Sequence, residues 1–328
     1  LSGSAQTSAK AAPARVPAWQ LTGRRPGRQR RRRRTVSNRL YAVLLLLPAS
    51  VFFAAFVIWP LITLVVNSFY SIAPLQGIRS FTGLGNYRAA ISSSAFTSSV
   101  VRTIAYTAIV VTMEFVLGLG AALLFNALGD RSRVLRTFFL YPLMIAPIVA
   151  GLLWRYLLID NFGIVNALLA KAGILSKPSQ ISWLSNPHLA LFSVSIPDIW
   201  LTTSFMCLVL FAGLQTIPHD ITEAARLDGA GPVRMLTRII LPLLRPVIAV
   251  ALIVRGIDAV KAFDVILIQT NGGPQNSTQT LSLLIYNNMT SYSEPGLASA
   301  MSVLYLAAML LVASFAVRMI WRPGRREA

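Results

Sequence analysis

Apolar blocks alternate with polar connections along the chain, at about 40–66, 101–127, 137–158, 188–214, 244–268 and 296–319. Each block is long enough to cross a hydrocarbon core as a helix, which takes about 20 residues. The pattern predicts an all-α membrane protein of six spans. The first block comes after a basic stretch, as the apolar core of a signal peptide does. It runs well past the length of such a core and reads as a retained helix.

Between the fourth and fifth blocks lies a polar island, residues 215–243. It reads as two short helices. Asp220 is placed to N-cap the first, with Glu223 three residues on in a capping-box arrangement. Gly229 sits where a residue with positive φ ends a helix, and Pro232 suits the first turn of the next. Leu236, Ile239 and Ile240 form an apolar face, and Pro242 and Pro246 are expected to break or kink the start of the fifth span. A short capped helix between two spans either docks on a partner or lies on the membrane surface. The local residues leave both open.

Composition agrees with the pattern: 55% of the 328 residues are hydrophobic and 12% charged, against about 25% charged in soluble domains. The net charge of +19 raises the question of nucleic acid, but its distribution answers it. Residues 1–39 carry 11 Lys/Arg and no acid, including the run Arg30 to Arg34. They read as a disordered Arg-rich tail, either a topology signal or a contact to anionic lipid. No nucleic-acid partner is expected. The termini and the alternate connections that include the island hold 22 Lys/Arg, and the opposite connections hold 4. The bias puts the tails 1–39 and 321–328 and the island in the cytoplasm. Cys207 is the single cysteine, which excludes an intrachain disulfide. His188 and His219 lie in different connections, so no metal-ligand cluster is visible. No G-x-x-x-x-G-K-[ST] phosphate loop, G-x-S-x-G or H-E-x-x-H occurs, so no catalytic, cofactor or metal site is expected and the chain is not expected to hydrolyse ATP itself.

Ionisable residues inside spans are costly and so draw attention. Glu114, Arg155, Asp198, Arg255, Asp258, Lys261 and Asp264 lie in or near them. The last four recur every third residue with alternating sign, a ladder along one helix face. Such a ladder either lines a translocation path or joins spans to each other or to a partner. The candidates for a substrate path are Glu114, Asp198, Arg255, Asp258, Lys261 and Asp264. Tyr106, Phe115, Trp154, Trp200 and Phe263 are candidates to stack on a sugar ring, although aromatic residues in spans mostly pack.

The island resembles the E-A-A loop of permease subunits of ATP-binding-cassette importers. Glu223, Ala224, Ala225, Gly229, Ile239, Leu241 and Pro242 stand at that family's spacing. Phe81, Gly83, Leu84, Asn86 and Tyr87 resemble the F-x-G-L-x-N-Y segment of its carbohydrate-uptake branch, and Thr270-Asn-Gly-Gly-Pro274 resembles a further segment of that branch. The resemblance spans about 40–320 and implies a type I importer permease fold. It implies that Asp220, Glu223, Ala224, Ala225, Asp228 and Gly229 form a coupling helix that docks on an ATPase subunit. Span five would face the path. Asn86, Tyr87, Asn271, Gly272, Gly273 and Pro274 would meet a substrate-binding protein or lipoprotein outside the cell. The implied partners are a second permease in a heterodimer, two ATPase subunits holding ATP and Mg, the binding protein and membrane lipid. The implied cargo is a sugar or sugar derivative of the disaccharide, polyol or glycerol-phosphate type, carried across a bacterial inner membrane. The rivals are a permease for amino acids or peptides, a secondary transporter, and a membrane-embedded enzyme.

Overall fold

The computed structural model describes residues 38–320. The expected tails fall outside them, apart from Asn38 and Arg39, which open the first helix. The chain divides at Val57 into two units. The first holds α1 (Asn38–Phe53), with Pro48 inside it, and all but the last residue of a π turn at Ala54–Ile58. Side chains from Tyr41 to Val57 are all exposed. A helix that is apolar all round needs lipid or protein about it.

The second unit opens with α2 (Trp59–Asn67) and an antiparallel hairpin of β1 (Tyr70–Ala73) and β2 (Ile78–Phe81), in which Tyr70 faces Phe81. The hairpin and α3 (Gly85–Ser92) occupy what the sequence reads as a plain polar loop. Next comes α4 (Ser94–Leu128), capped by Ser93, whose hydroxyl accepts the Phe96 N–H. Its buried residues are Ser99, Thr103, Tyr106, Val110, Glu114, Gly118, Ala122 and Phe125. They recur every third or fourth position and so form one stripe.

That stripe packs along α8 (Ala190–Leu214). Tyr106 meets Asp198, Glu114 meets Thr202, Gly118 lies against Met206, and Asn126 meets Gln215. Both numbers rise together, so α4 and α8 run parallel. At Gly118 an added Cβ would stand 2.8 Å from Met206 Cγ and 3.0 Å from the Cys207 nitrogen. Only glycine lets the two backbones approach so closely.

The third expected span, 137–158, is not one helix. It comprises α5 (Arg133–Leu140), a 3₁₀ turn at Tyr141–Met144, and α6 (Pro147–Leu157). Ile145 and Ala146 are extended, as the residue before a proline prefers to be. Among the described residues, five helical stretches are long and apolar enough to cross a membrane: Tyr41–Asn67, Ser94–Met144, Ala190–Leu214, Pro232–Val260 and Pro295–Arg318. The apolar helix α6, Pro147–Leu157, is shorter.

After α7 (Ile164–Lys171) and α8, the polar island forms α9 (His219–Leu227) and α10 (Pro232–Met235). Of the break or kink expected at Pro242 and Pro246, the chain shows no break but a distortion before Pro242. A π turn at Leu236–Ile240 leads without interruption into α11 (Leu241–Val260). Proline has no N–H and its ring crowds the carbonyl four residues back, here that of Arg238. The widened turn is centred on that residue and absorbs the misfit. The other π turn, Ala54–Ile58, precedes Pro60 by the same offset.

The fifth span also ends earlier than expected. It stops at Val260, and α12 (Asp264–Thr270) begins after a break. The connection after α12 contains α13 (Leu281–Thr290), with Leu281, Leu283 and Leu284 buried, before α14 (Pro295–Ile320). One core cluster joins α4, α8 and α11 around Met206, Leu210 and Leu244. A second, around Tyr106, Val194, Ile266 and Leu283, binds α12 and α13 to the same pair.

Candidate functional site

The polar island presents α9 to solvent. Asp220, Glu223, Ala224, Asp228 and Gly229 are exposed, and Ala225 alone of the expected coupling residues is buried. Leu227 is 89% exposed and Val233 74%. The expected capping box does not form. Pro218 is the N-cap and no side chain caps the helix. Its backbone already has the extended geometry that an N-cap needs, so the helix starts at His219 and Asp220 falls inside the first turn. There its charge complements the helix dipole. The C-terminal end is as the sequence implies. Gly229 has φ of 77°, its N–H donates to the Arg226 carbonyl at 3.0 Å, and the Ala230 N–H donates to the Ala225 carbonyl at 2.9 Å. These two bonds make a Schellman end, which satisfies carbonyls that a helix otherwise leaves free. Among the described residues the Glu223 side chain has no hydrogen-bond or ion-pair partner.

One rung of the expected charge ladder forms, Asp258 with Lys261, while Arg255 joins spans instead. Arg255 turns into the bundle together with Leu244, Ala251 and Ala259 of α11. Its Nε–H donates to Glu114 Oε2 at 2.6 Å, and Nη2 donates to Glu114 Oε1 at 2.8 Å and Asp198 Oδ1 at 2.7 Å. The Tyr106 hydroxyl donates to Asp198 Oδ2 at 3.1 Å, and the Thr202 hydroxyl lies between Glu114 Oε1 and the Asp198 carbonyl. Glu114 is fully buried and Arg255 is 4% exposed. Three spans are thus tied by a bidentate ion pair and its branch. Asp258 and Lys261 pair at 2.9 Å on the exposed side, and Asp264 is exposed in the first turn of α12. The reason is angular. Residues four apart share the buried stripe of α11, and a residue three from Arg255 leaves it.

A profile of the family described as "binding-protein-dependent transport system inner membrane component" matches residues 114–322. The chain belongs to this family. The permease is 37% identical over 286 residues to the sulfoquinovosyl glycerol transport system permease protein SmoG of Agrobacterium fabrum, covering 87% of this chain and 92% of that one. It is 37% identical over 276 residues to the trehalose/maltose transport system permease protein MalF of Thermococcus litoralis, covering 84% and 90%. A chain of a bacterial ABC transporter involved in the import of the acidic polysaccharide alginate aligns with TM-score 0.75 at 22% identity, over 89% of this chain and 99% of that one. The last match establishes the shared fold. The permease is therefore a multi-pass inner-membrane component of a binding-protein-dependent transport system.

The residues expected to meet a binding protein make internal hydrogen bonds. Asn86 Nδ2 donates to the carbonyls of Ser68 and Tyr70, both at 2.9 Å, and the Tyr87 hydroxyl bonds the Ser68 hydroxyl at 2.6 Å. These bonds brace the hairpin against α3, with Phe81 70% exposed on the hairpin and Leu84 68% exposed at the start of α3. Asn271 and Gly272 both have positive φ; Asn271 is exposed and Gly272 buried. Thr278 donates to the Gly273 carbonyl at 2.8 Å and fixes Gly273 and Pro274 in a tied loop. Of the aromatic candidates, Tyr106 is buried, Trp154 and Trp200 meet edge to face, Phe263 lies against Tyr286, and Phe115 packs on the core. Sequence reasoning missed Thr202 and the joining of Glu114 to Arg255. Residues 141 apart carry no local signal of contact.

Proposed function

We propose that this permease is one of two similar subunits of an ATP-driven importer of a sugar or sugar derivative. Two ATPase subunits holding ATP and Mg lie on the cytoplasmic side, and a substrate-binding protein or lipoprotein delivers cargo outside. The observation that carries the reading is α9, a capped and exposed helix that offers an unpartnered Glu223 and the apolar Leu227. Such a helix offers a rigid lever to a partner on the cytoplasmic side, where ATP is. The cargo class rests on the relatives, whose names give a sulfoquinovosyl glycerol and a trehalose/maltose substrate.

The exposed groups Asp258, Lys261 and Asp264 would line the path, at the break between α11 and α12. Interrupted helices at membrane depth are tolerated where they border a cavity or protein. Glu114, Arg255 and Asp198 would instead hold the walls together. Outside, Phe81, Leu84 and Asn271 would meet the binding protein, with Asn86, Tyr87, Gly272, Gly273 and Pro274 shaping that surface. Alternating access then arises if ATP binding favours one of two arrangements through α9.

The test is to extract the tagged chain in mild detergent, identify its companions by mass spectrometry and assay ATP hydrolysis. The expected result is an ATPase and a second permease, with a binding protein that takes up trehalose, maltose or a glycerol-phosphate compound in preference to amino acids. A stable lone chain that transports in vesicles without an ATPase would overturn the reading in favour of a secondary transporter.

A further inference from the structure

The inward face of α5 is built for an anion, and the transport reading does not use it. Arg133, Arg136, Thr137 and Leu140 succeed one another at helical spacing along one side of a cavity of about 380 Å³. The opposite wall is apolar, with Phe125 from α4 and Leu208 and Phe211 from α8. On the other face of α5, Val134, Leu135 and Phe138 are exposed. The helix thus shows its apolar side outward, as a helix against lipid does. The Arg136 guanidinium carbon lies 4.7 Å from the centre of the Phe211 ring. That contact holds the cation at the aromatic wall. Among the described residues neither Arg133 nor Arg136 forms an ion pair, although Asp130 is three residues from Arg133.

We infer that this cavity holds an anionic phospholipid. Its phosphodiester sits on the guanidinium groups of Arg133 and Arg136, and an acyl chain runs along Phe125, Leu208 and Phe211. The charge and the apolar wall select this occupant together. Inorganic phosphate satisfies the arginines but gains nothing from the aromatic side chains. A zwitterionic lipid brings an ammonium group toward two cations. Leu208 is 47% exposed at the cavity wall, which keeps an apolar route open from the surrounding bilayer. Basic pockets between membrane helices at the basic end of a bundle bind anionic headgroups by this combination.

The experiment titrates dioleoyl-phosphatidylglycerol, dioleoyl-phosphatidylcholine and inorganic phosphate into the full complex in detergent and reads bound lipid by native mass spectrometry. Phosphatidylglycerol is expected to stay bound, phosphatidylcholine to be lost, and phosphate not to displace the lipid. Arg133→Gln and Arg136→Gln should each weaken phosphatidylglycerol about fivefold, the effect of one cation near an anionic surface. Arg131→Gln, on the same connection but off the cavity, should leave it unchanged. Leu208→Trp fills the cavity with both arginines kept and should expel the lipid, so it decides the matter if an arginine variant fails to assemble. Equal retention of both lipids, displacement by phosphate, or an equal effect of Arg131→Gln would overturn the proposal.

Discussion

Arg255 occupies a place where a charge is costly, about 2.5–3.5 kcal/mol at a helix centre on insertion scales. It is tolerated because Glu114 and Asp198 from two other spans are there to receive it. Removing one partner from a buried ionic group leaves the others uncompensated, at about 3–5 kcal/mol. Arg255→Ala should therefore lower the thermal stability of the detergent-extracted permease by an amount of that order. The triple variant Arg255→Gln, Glu114→Gln, Asp198→Asn removes all the charge and should recover most of the loss. An Arg255→Ala protein as stable as its parent would show that the network does not hold the spans. That charged residues cluster in this part of the chain was legible in the sequence. Their pairing was not, because period three along one helix looked like a ladder. The buried stripe of α11 advances by four, through Ala251, Arg255 and Ala259. Once that stripe is known, Asp258 must fall outside it.

At the scale of the element, α9 and the α4–α8 pair show two uses of glycine. An added Cβ at Gly229 would meet nothing within 4 Å, so a substitution there is penalised by its positive φ alone. A β-branched residue held in that region costs on the order of 1–3 kcal/mol, whereas asparagine visits it readily. Gly229→Val should thus disturb the end of α9 and uncouple ATP hydrolysis from uptake, and Gly229→Asn should keep them coupled. Glu223→Ala should uncouple as well, with the bundle still folded. Measuring hydrolysis and uptake in the same vesicles checks all three, and normal uptake by both Gly229→Val and Glu223→Ala would sink the assignment of α9. Gly118 differs, because there the space is taken by Met206 and the backbone of Cys207. Gly118→Leu should separate α4 from α8 and destabilise by more than the roughly 1–3 kcal/mol of ordinary overpacking, read as a fall in melting temperature. The end of α9 was legible because glycine at a helix terminus has a local cause. The contact at Gly118 was not, since its cause lies on another span. The start of α9 was misplaced because Pro218 offered a ready N-cap that a search for polar caps passes over. At Pro242 the sequence leaves a break and a kink open, and the chain takes neither a stop nor a regular turn. Proline forbids one regular hydrogen bond, and the chain has a wider turn available that does without it.

For the whole molecule, function depends on which ends of the helices share a side. The parallel run of α4 and α8 puts Leu128 and Leu214 at the same end, and α11 returns from that end, since Gly213 packs against Leu244 and Val247. The connection after α4 and the polar island therefore lie together, and they carry arginines. The loop around Asn271 and Gly272 lies at the other end, beside α13, and has no Lys or Arg from 269 to 294. Charge bias and packing are independent of each other and assign the same two faces. The orientation is fixed if basic connections stay in the cytoplasm. A label that cannot cross membranes tests this directly. Cys207 is 3% exposed and should stay silent, so the native chain serves as its own blank. Asp130→Cys and Gln275→Cys place a thiol at exposed positions on opposite faces. In right-side-out vesicles a charged maleimide should label Gln275→Cys and spare Asp130→Cys, and in inverted vesicles the pattern should reverse. Labelling of both from one side would contradict the packing of α4 and α8 as well as the charge bias. A reversed pattern would leave the bundle intact but put α9 outside the cell, away from ATP, and the coupling reading would fall with it.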